Sequence, residues 1–199
     1  MSFLIATPTR ARSMDFEYVV GMMHASGTFG GWMPVGGQSD IYVARNTLVN
    51  QFLYMKHDQL VFIDSDIGFT RDDIMNLVTT PYPLVSGLYP GKDAEQRPVY
   101  VPMDGGPATL PEKGKLIEAK YVPGGFLSIH RSVLDAIKPL VAEYGPVEKP
   151  HYQFFNGIVE DRNLLSEDYS FCVLARQAGF VPKINTDIRL KHDGREFPK

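Results

Sequence analysis

The run Leu60-Val61-Phe62-Ile63, ended by the acidic step Asp64-Ser65-Asp66, constrains the fold more than any other feature of the chain. Four large apolar residues in succession leave neither face of an extended segment for water, so the run reads as a strand buried on both sides. Such a strand needs further layers above and below it, and 199 residues can supply them around one core. Two carboxylates separated by one small residue emerge where the strand ends. Left alone they repel each other and resist ionisation; a divalent cation removes that cost. Ligands in open α/β sheets bind at the carboxyl ends of strands. Position and chemistry therefore suit a metal-assisted reaction on an anionic substrate. A loop Asp followed by a helix-capping Asp is the plainer reading of the same residues.

The rest of the chain supplies the layers. Phe3 to Ala6 predicts a first strand, and Thr7-Pro8-Thr9-Arg10 its outgoing loop, with hydroxyls and a guanidinium at the sheet edge. Residues 15–25 predict a helix with Phe16, Val19, Val20 and Met23 on its inner face. Gly27 through Gly37 predicts a loop or short hairpin; its glycines follow neither a phosphate-loop nor a dinucleotide pattern. Ser39 or Asp40 can cap a helix to about His57 whose buried stripe is Ile41, Ala44, Leu48, Phe52 and Met55. Arg45 falls early in that helix, where neither dipole nor packing calls for it, and is a candidate to reach phosphate or a carboxylate.

Thr70 and Asp73 have the spacing of a capping box with the shorter acid, which makes Asp72 and Asp73 helix-end charges. Pro81 and Pro83 stop that helix, and 84–89 returns as a strand. From Pro90 to Pro123, short extended stretches at 98–102 and 116–122 among Pro and Gly predict a small antiparallel flap. Gly124-Gly125 before the apolar Phe126-Leu127-Ser128-Ile129 permits a tight bend or the close approach of a substrate. A helix is expected near 132–143, then a looser aromatic-rich loop at 145–165, suited to packing or to stacking on a sugar. Glu167-Asp168 opens a last helix with Phe171, Leu174, Ala175 and Ala178 inside and Gly179 as its stop. A final strand within 181–190 leads to Lys191-His192-Asp193-Gly194.

Charge narrows the partners. Twenty basic against 23 acidic residues give −3, which offers no general attraction to nucleic acid or anionic lipid. The tail from Lys183 is weakly basic and could help neutralise phosphate. One cysteine, Cys172, excludes an internal disulfide and suits a reducing compartment. No stretch is long and apolar enough to span a membrane, and the N-terminus fits a first strand better than a signal peptide, so cytoplasmic residence is the expectation.

Taken in order, the N-terminal strand with Thr7-Pro8-Thr9-Arg10, Asp64-Ser65-Asp66, Gly124-Gly125-Phe126, and Glu167-Asp168 with a following helix and the later His192 resemble a compact glycosyltransferase of the GT-A type, family 2-like. The resemblance extends from Phe3 to about Gly194. It implies an α/β, Rossmann-related single domain over 1–199: a mixed central sheet flanked by helices, with a small antiparallel flap at 90–123 and an acceptor-side loop at 145–165. It implies that Thr7, Pro8, Arg10, Arg45, Asp64, Ser65, Asp66, Gly124 and Gly125 surround a nucleotide-diphosphate sugar. It further implies that Asp64, Asp66 and His192 form the metal site, Asp66 as the direct ligand and Asp64 touching ribose or metal-bound water. Such oxygen and imidazole ligands suit Mn²⁺, with Mg²⁺ the alternative. Asp168 corresponds to the general base of inverting members, and Glu167 to an acceptor-binding or loop-supporting acid. The implied partners are the nucleotide sugar and a hydroxyl-bearing acceptor (saccharide, small molecule or protein), with homo-oligomerisation open.

Two other classes fit parts of the pattern. A metal-dependent phosphoryl or nucleotidyl transferase could use Asp64-Ser65-Asp66, but Gly68 stands where a phosphatase of the haloacid-dehalogenase type has Thr or Val. A nucleotidyltransferase calls for a clearer basic loop near residue 10. A noncatalytic nucleotide-sugar-binding protein could use the same sheet without turnover.

Overall fold

The computed structural model describes residues 2–9 and 13–197. In chain order its elements are β1 (Phe3–Thr9), α1 (Phe16–Ala25), β2 (Gly31–Gly36), α2 (Ile41–Leu53), β3 (Gln59–Ile63), β4 (Ile67–Gly68), α3 (Arg71–Thr79), β5 (Leu84–Leu88), β6 (Val101–Pro102), β7 (Leu116–Tyr121), β8 (Phe126–His130), α4 (Arg131–Ile137), β9 (Glu143–Tyr144), β10 (His151–Tyr152), β11 (Val159–Glu160), β12 (Asn163–Leu164), α5 (Glu167–Gln177), β13 (Lys183–Arg189) and β14 (Lys191–His192). Eight of the strands form one mixed sheet in the order β2-β1-β3-β8-β5-β13-β7-β6. β1 runs parallel to β2 and β3, and β5 parallel to β13, while β8 lies antiparallel between β3 and β5.

The apolar run is β3, and it is buried on both faces. Leu60 and Phe62 pack into one core with α2, α4 and α5; Val61 and Ile63 pack into the other with α1 and α3. Each such side chain contributes about 1.5–3 kcal/mol by leaving water. The capping box at Thr70 forms as the spacing predicts, with Asp73 N–H donating to the Thr70 hydroxyl and Thr70 N–H to the Asp73 carboxylate. Gly179 takes φ 89° just beyond α5, where a left-handed residue ends a helix. No helix among the described residues is long and apolar enough to cross a membrane.

Several local expectations are corrected. α1 buries Tyr18, Gly21 and Ala25, whereas Phe16 is 80% and Met23 68% exposed, with Val19 also exposed. Gly21 faces inward because a Cβ there would lie 2.7 Å from the Phe69 carbonyl oxygen; the helix sits too close for a large residue. Most of the 27–37 loop is the edge strand β2, where Pro34 is tolerated because an edge position need not donate on its outer side. In α2, Ala44, Leu48 and Phe52 are buried but Ile41 is exposed, and the helix ends at Leu53, short of the expected His57, leaving Met55 beyond it and exposed. The helix expected at 132–143 ends as α4 at Ile137, with a single 3₁₀ turn at Lys138–Leu140. The flap forms from β6 and β7, and β7 pairs with β13, so it extends the sheet.

Candidate functional site

Parallel direction places the carboxyl ends of β1, β3, β5 and β13 on one edge of the sheet. Because β8 runs the other way, the residues preceding it, Gly124-Gly125, reach that same edge. The amino end of α5 and the inner face of α2 close over it, so residues far apart in sequence meet there.

Arg45 is the centre of the cluster. It is 2% exposed and its guanidinium lies over Phe62, 5.1 Å from the ring centroid. Its Nη2 donates to both carboxylate oxygens of Asp64 at 3.0 Å, its Nη1 to the Gly124 carbonyl at 3.1 Å, and its Nε to Glu167 Oε1 at 3.2 Å. The sequence offered phosphate or carboxylate as its partner; carboxylates and a carbonyl are what it holds. Burial pushes the Asp64 carboxyl above its ordinary pKa, with Arg45 opposing and Asp66 adding to the rise. Burial raises Glu167 as well, again against Arg45.

Gly124-Gly125 is fastened on every side. Arg45 grips the Gly124 carbonyl, while Gly124 N–H donates to Asp168 Oδ2 at 3.0 Å. Gly125 N–H donates to the Tyr89 hydroxyl at 3.0 Å, and Asp64 N–H to the Gly125 carbonyl at 2.9 Å. A Cβ on Gly124 would come within 2.9 Å of the Arg45 guanidinium, and one on Gly125 within 2.6 Å of the Tyr89 oxygen. Close approach is thus the reason for both glycines. Burial, with the charges of Asp64 and Asp168, raises the Tyr89 phenol well above its ordinary pKa, so it stays a hydroxyl.

Asp66 and His192 come together because β14 pairs with β4, setting His192 opposite Ile67. His192 Nε2 lies 3.5 Å from Asp66 Oδ2, its ring stands edge-on to Tyr89 at 4.9 Å, and its Nδ1 is 2.8 Å from the Pro90 carbonyl oxygen. A carbonyl only accepts, so Nδ1 carries a proton, and Nε2 is the nitrogen turned toward Asp66. A histidine held this way by a backbone carbonyl is oriented as metal-binding histidines are. The pair therefore fits a divalent ion. Lys92, which the sequence reading missed, donates its ammonium to the same Asp66 Oδ2 at 2.6 Å. Burial alone would raise the Asp66 carboxyl; hydrogen bonds and charge from His192 and Lys92 hold it well below the usual range.

The expected trio of Asp64, Asp66 and His192 does not converge. Among the described residues no three His, Cys, Asp or Glu side chains group to hold a metal, and Asp64 is taken by Arg45. Glu167 and Asp168 divide the tasks at the start of α5. Glu167 pairs with Arg45, while Asp168 accepts from Gly124 N–H, Tyr169 N–H and the Ser166 hydroxyl. Those three bonds leave about one of its four acceptor positions open.

The first-strand candidates stand differently. Thr7 is fully buried, its hydroxyl bonded to the Trp32 indole N–H and to Tyr18, and Pro8 is buried beside it. They form wall rather than free donors. Arg10 lies outside the described residues. Ser65 contributes its carbonyl, which accepts from Asp15 N–H and anchors the start of α1. A pocket of about 270 Å³ lined by Thr9, Ser39, Asp40 and Ala44 opens where β1 meets the start of α2. Tyr89, missed by the sequence reading, carries a signal in hindsight: it directly follows a strand at the ligand-binding edge.

No family model matches the chain, and no curated protein does. Solved structures do. A197 from STIV aligns over 96% of this chain and 85% of its own, at TM-score 0.63 and 16% identity. GalNAc-T7, crystallised with UDP, GalNAc and Mn²⁺, aligns over the whole chain at TM-score 0.53 and 8% identity; this chain spans 46% of it. The catalytic domain of Drosophila β1,4-galactosyltransferase 7 in complex with xylobiose aligns at TM-score 0.52 and 14% identity, with 76% of it covered. The fold is that of GT-A glycosyltransferases, as the resemblance implied.

Proposed function

We propose that the chain transfers a sugar from a nucleotide-diphosphate sugar to an acceptor hydroxyl, with inversion at the anomeric carbon. The observation that carries this reading is the meeting, at one sheet edge, of the paired Asp66 and His192 and an acid, Asp168, fixed on the Gly124 peptide. The GT-A fold and a neighbour crystallised with UDP, GalNAc and Mn²⁺ support it.

Asp66 and His192 would hold a divalent ion, Mn²⁺ or Mg²⁺, which when bound would offset the charge gathering on the leaving diphosphate. Arg45 keeps Asp64 ionised yet neutralised and fixes Gly124, so the floor of the site does not move as charge develops. Asp64, at the mouth of β3, serves the ribose side of the donor instead of ligating the ion. Gly124 and Gly125 let the donor sugar approach the backbone. Asp168 takes the proton of the acceptor hydroxyl as its oxygen bonds to the anomeric carbon and the bond to diphosphate breaks. Glu167 supports the acceptor side through Arg45. A phosphatase in which Asp64 attacks phosphorus fits poorly, because both of its oxygens lie on Arg45.

The test is calorimetric titration of UDP- and GDP-sugars with and without Mn²⁺, followed by transfer assays over an acceptor panel. Asp66→Ala and His192→Ala are both expected to weaken Mn²⁺-dependent donor binding. Unchanged affinity in both folded variants rejects the metal assignment, and donor binding without hydrolysis or transfer favours a noncatalytic binder.

A further inference from the structure

Asp66 Oδ2 faces two groups at once: His192 Nε2 at 3.5 Å and the Lys92 ammonium at 2.6 Å. An ion shared by Asp66 and His192 would contend for the oxygen that Lys92 already occupies. Lys92 is placed there by its backbone as well as its side chain. It follows Gly91, whose N–H donates to the Arg97 carbonyl at 2.8 Å, and its own carbonyl accepts from Arg195 beyond His192. The foot of the flap and the C-terminal tail thus hold each other, with Lys92 and His192 on either side of one carboxylate. The Lys92 side chain is half exposed, so its ammonium has a way out to water.

We propose that Lys92 is a built-in counter-ion of Asp66, which a divalent cation must displace in order to bind. Asp66 and His192 are therefore satisfied before any metal arrives, and metal affinity is set by competition with a tethered ammonium. Once displaced, Lys92 stays at the mouth of the site, where a bound diphosphate gives it a new anionic partner. The inference rests on the metal assignment made above and goes beyond it by naming the residue that tunes it.

The experiment titrates Mn²⁺ alone, without nucleotide, into the wild type, Lys92→Met and Lys92→Gln, following binding by calorimetry and by the electron paramagnetic resonance signal of free Mn²⁺. Thermal unfolding confirms that the variants fold. Both variants are expected to bind Mn²⁺ about fivefold more tightly than the wild type, the upper worth of an exposed ion pair, and adding Asp66→Asn to either should abolish the gain. Equal affinity within twofold in wild type and variants, with binding still lost in Asp66→Asn, overturns the role of Lys92 and leaves the metal site standing. Binding that ignores Asp66→Asn, or no binding in any of the proteins, overturns both.

Discussion

Arg45→Met tests whether one guanidinium ties the two acidic walls of the site together. Methionine keeps an unbranched stem against Phe62 and Phe155 and removes every donor. Asp64 loses Nη2 at 3.0 Å, the Gly124 carbonyl loses Nη1 at 3.1 Å, and Glu167 loses Nε at 3.2 Å. Removing one partner of a fully buried pair costs about 3–5 kcal/mol. Asp64 and Glu167 keep 26% and 16% of their side chains open to water. Rehydration offsets part of the loss, which leaves about 2–4 kcal/mol, or a fall in Tm of roughly 4–16 °C for a protein this size. Burial already raises both carboxyls, and without Arg45 they rise further. The folded form then binds protons more readily than the unfolded chain, so the defect is full at neutral pH and shrinks as pH falls through the raised values. The triple variant Arg45→Met, Asp64→Asn, Glu167→Gln removes the stranded charges and is expected to recover much of the loss. Urea unfolding and calorimetry at pH 7 and pH 4.5 read all three effects. A fall below about 2 °C, or a triple variant no better than Arg45→Met, refutes the reasoning.

Asp168→Asn removes a base while leaving most of its hydrogen bonds in place; kcat should fall about 10²–10⁴-fold with donor affinity unchanged, and near-normal turnover rejects the role. Gly125→Ala puts a methyl group 2.6 Å from the Tyr89 oxygen and 3.2 Å from Asp64. Urea unfolding should show a loss of about 1–3 kcal/mol, and an undiminished protein would mean that the turn is looser than its contacts indicate. Because Asp66 is held below its ordinary pKa, its contribution to stability is present above the normal carboxylate range and is lost as pH falls toward the depressed value. Asp66→Asn should therefore flatten the acid limb of a Tm-versus-pH curve, and an acid limb as steep as that of the wild type would contradict this.

The fold was legible where pattern and burial agree. β3 declared itself through four consecutive apolar residues, and Thr70 through its capping partner three residues on, because both signals are local. α1 misled because burial there depends on how the helix meets Phe69: Gly21 lies against its backbone and Tyr18 edge-on to its ring, so Phe16, Val19 and Met23 face out. β2 was hidden by glycines and Pro34, which an edge strand tolerates and a central one does not. In the site, the order of acidic elements pointed to Asp66, His192 and Asp168, and Arg45 stood out as a charge without a local reason. Its partners, Asp64 and Glu167, lie 19 and 122 positions away and no local pattern could supply them. The Lys92 contact was equally unreadable, since it depends on how the foot of the flap sets down beside β14.

The reversed direction of β8 has a consequence for how little chain such a cleft requires. In a wholly parallel sheet, the link leading into a central strand would run along the far rim, out of reach of any substrate. Here the link from β5 to β8 both departs from and returns to the near rim, and on its way adds β7 and β6 to the sheet beyond β13, so its two ends, Lys92 and Gly124-Gly125, both reach the opening. One inverted strand in the middle of a sheet thus lets a single connection supply both the partner of Asp66 and the glycine turn beside Asp64.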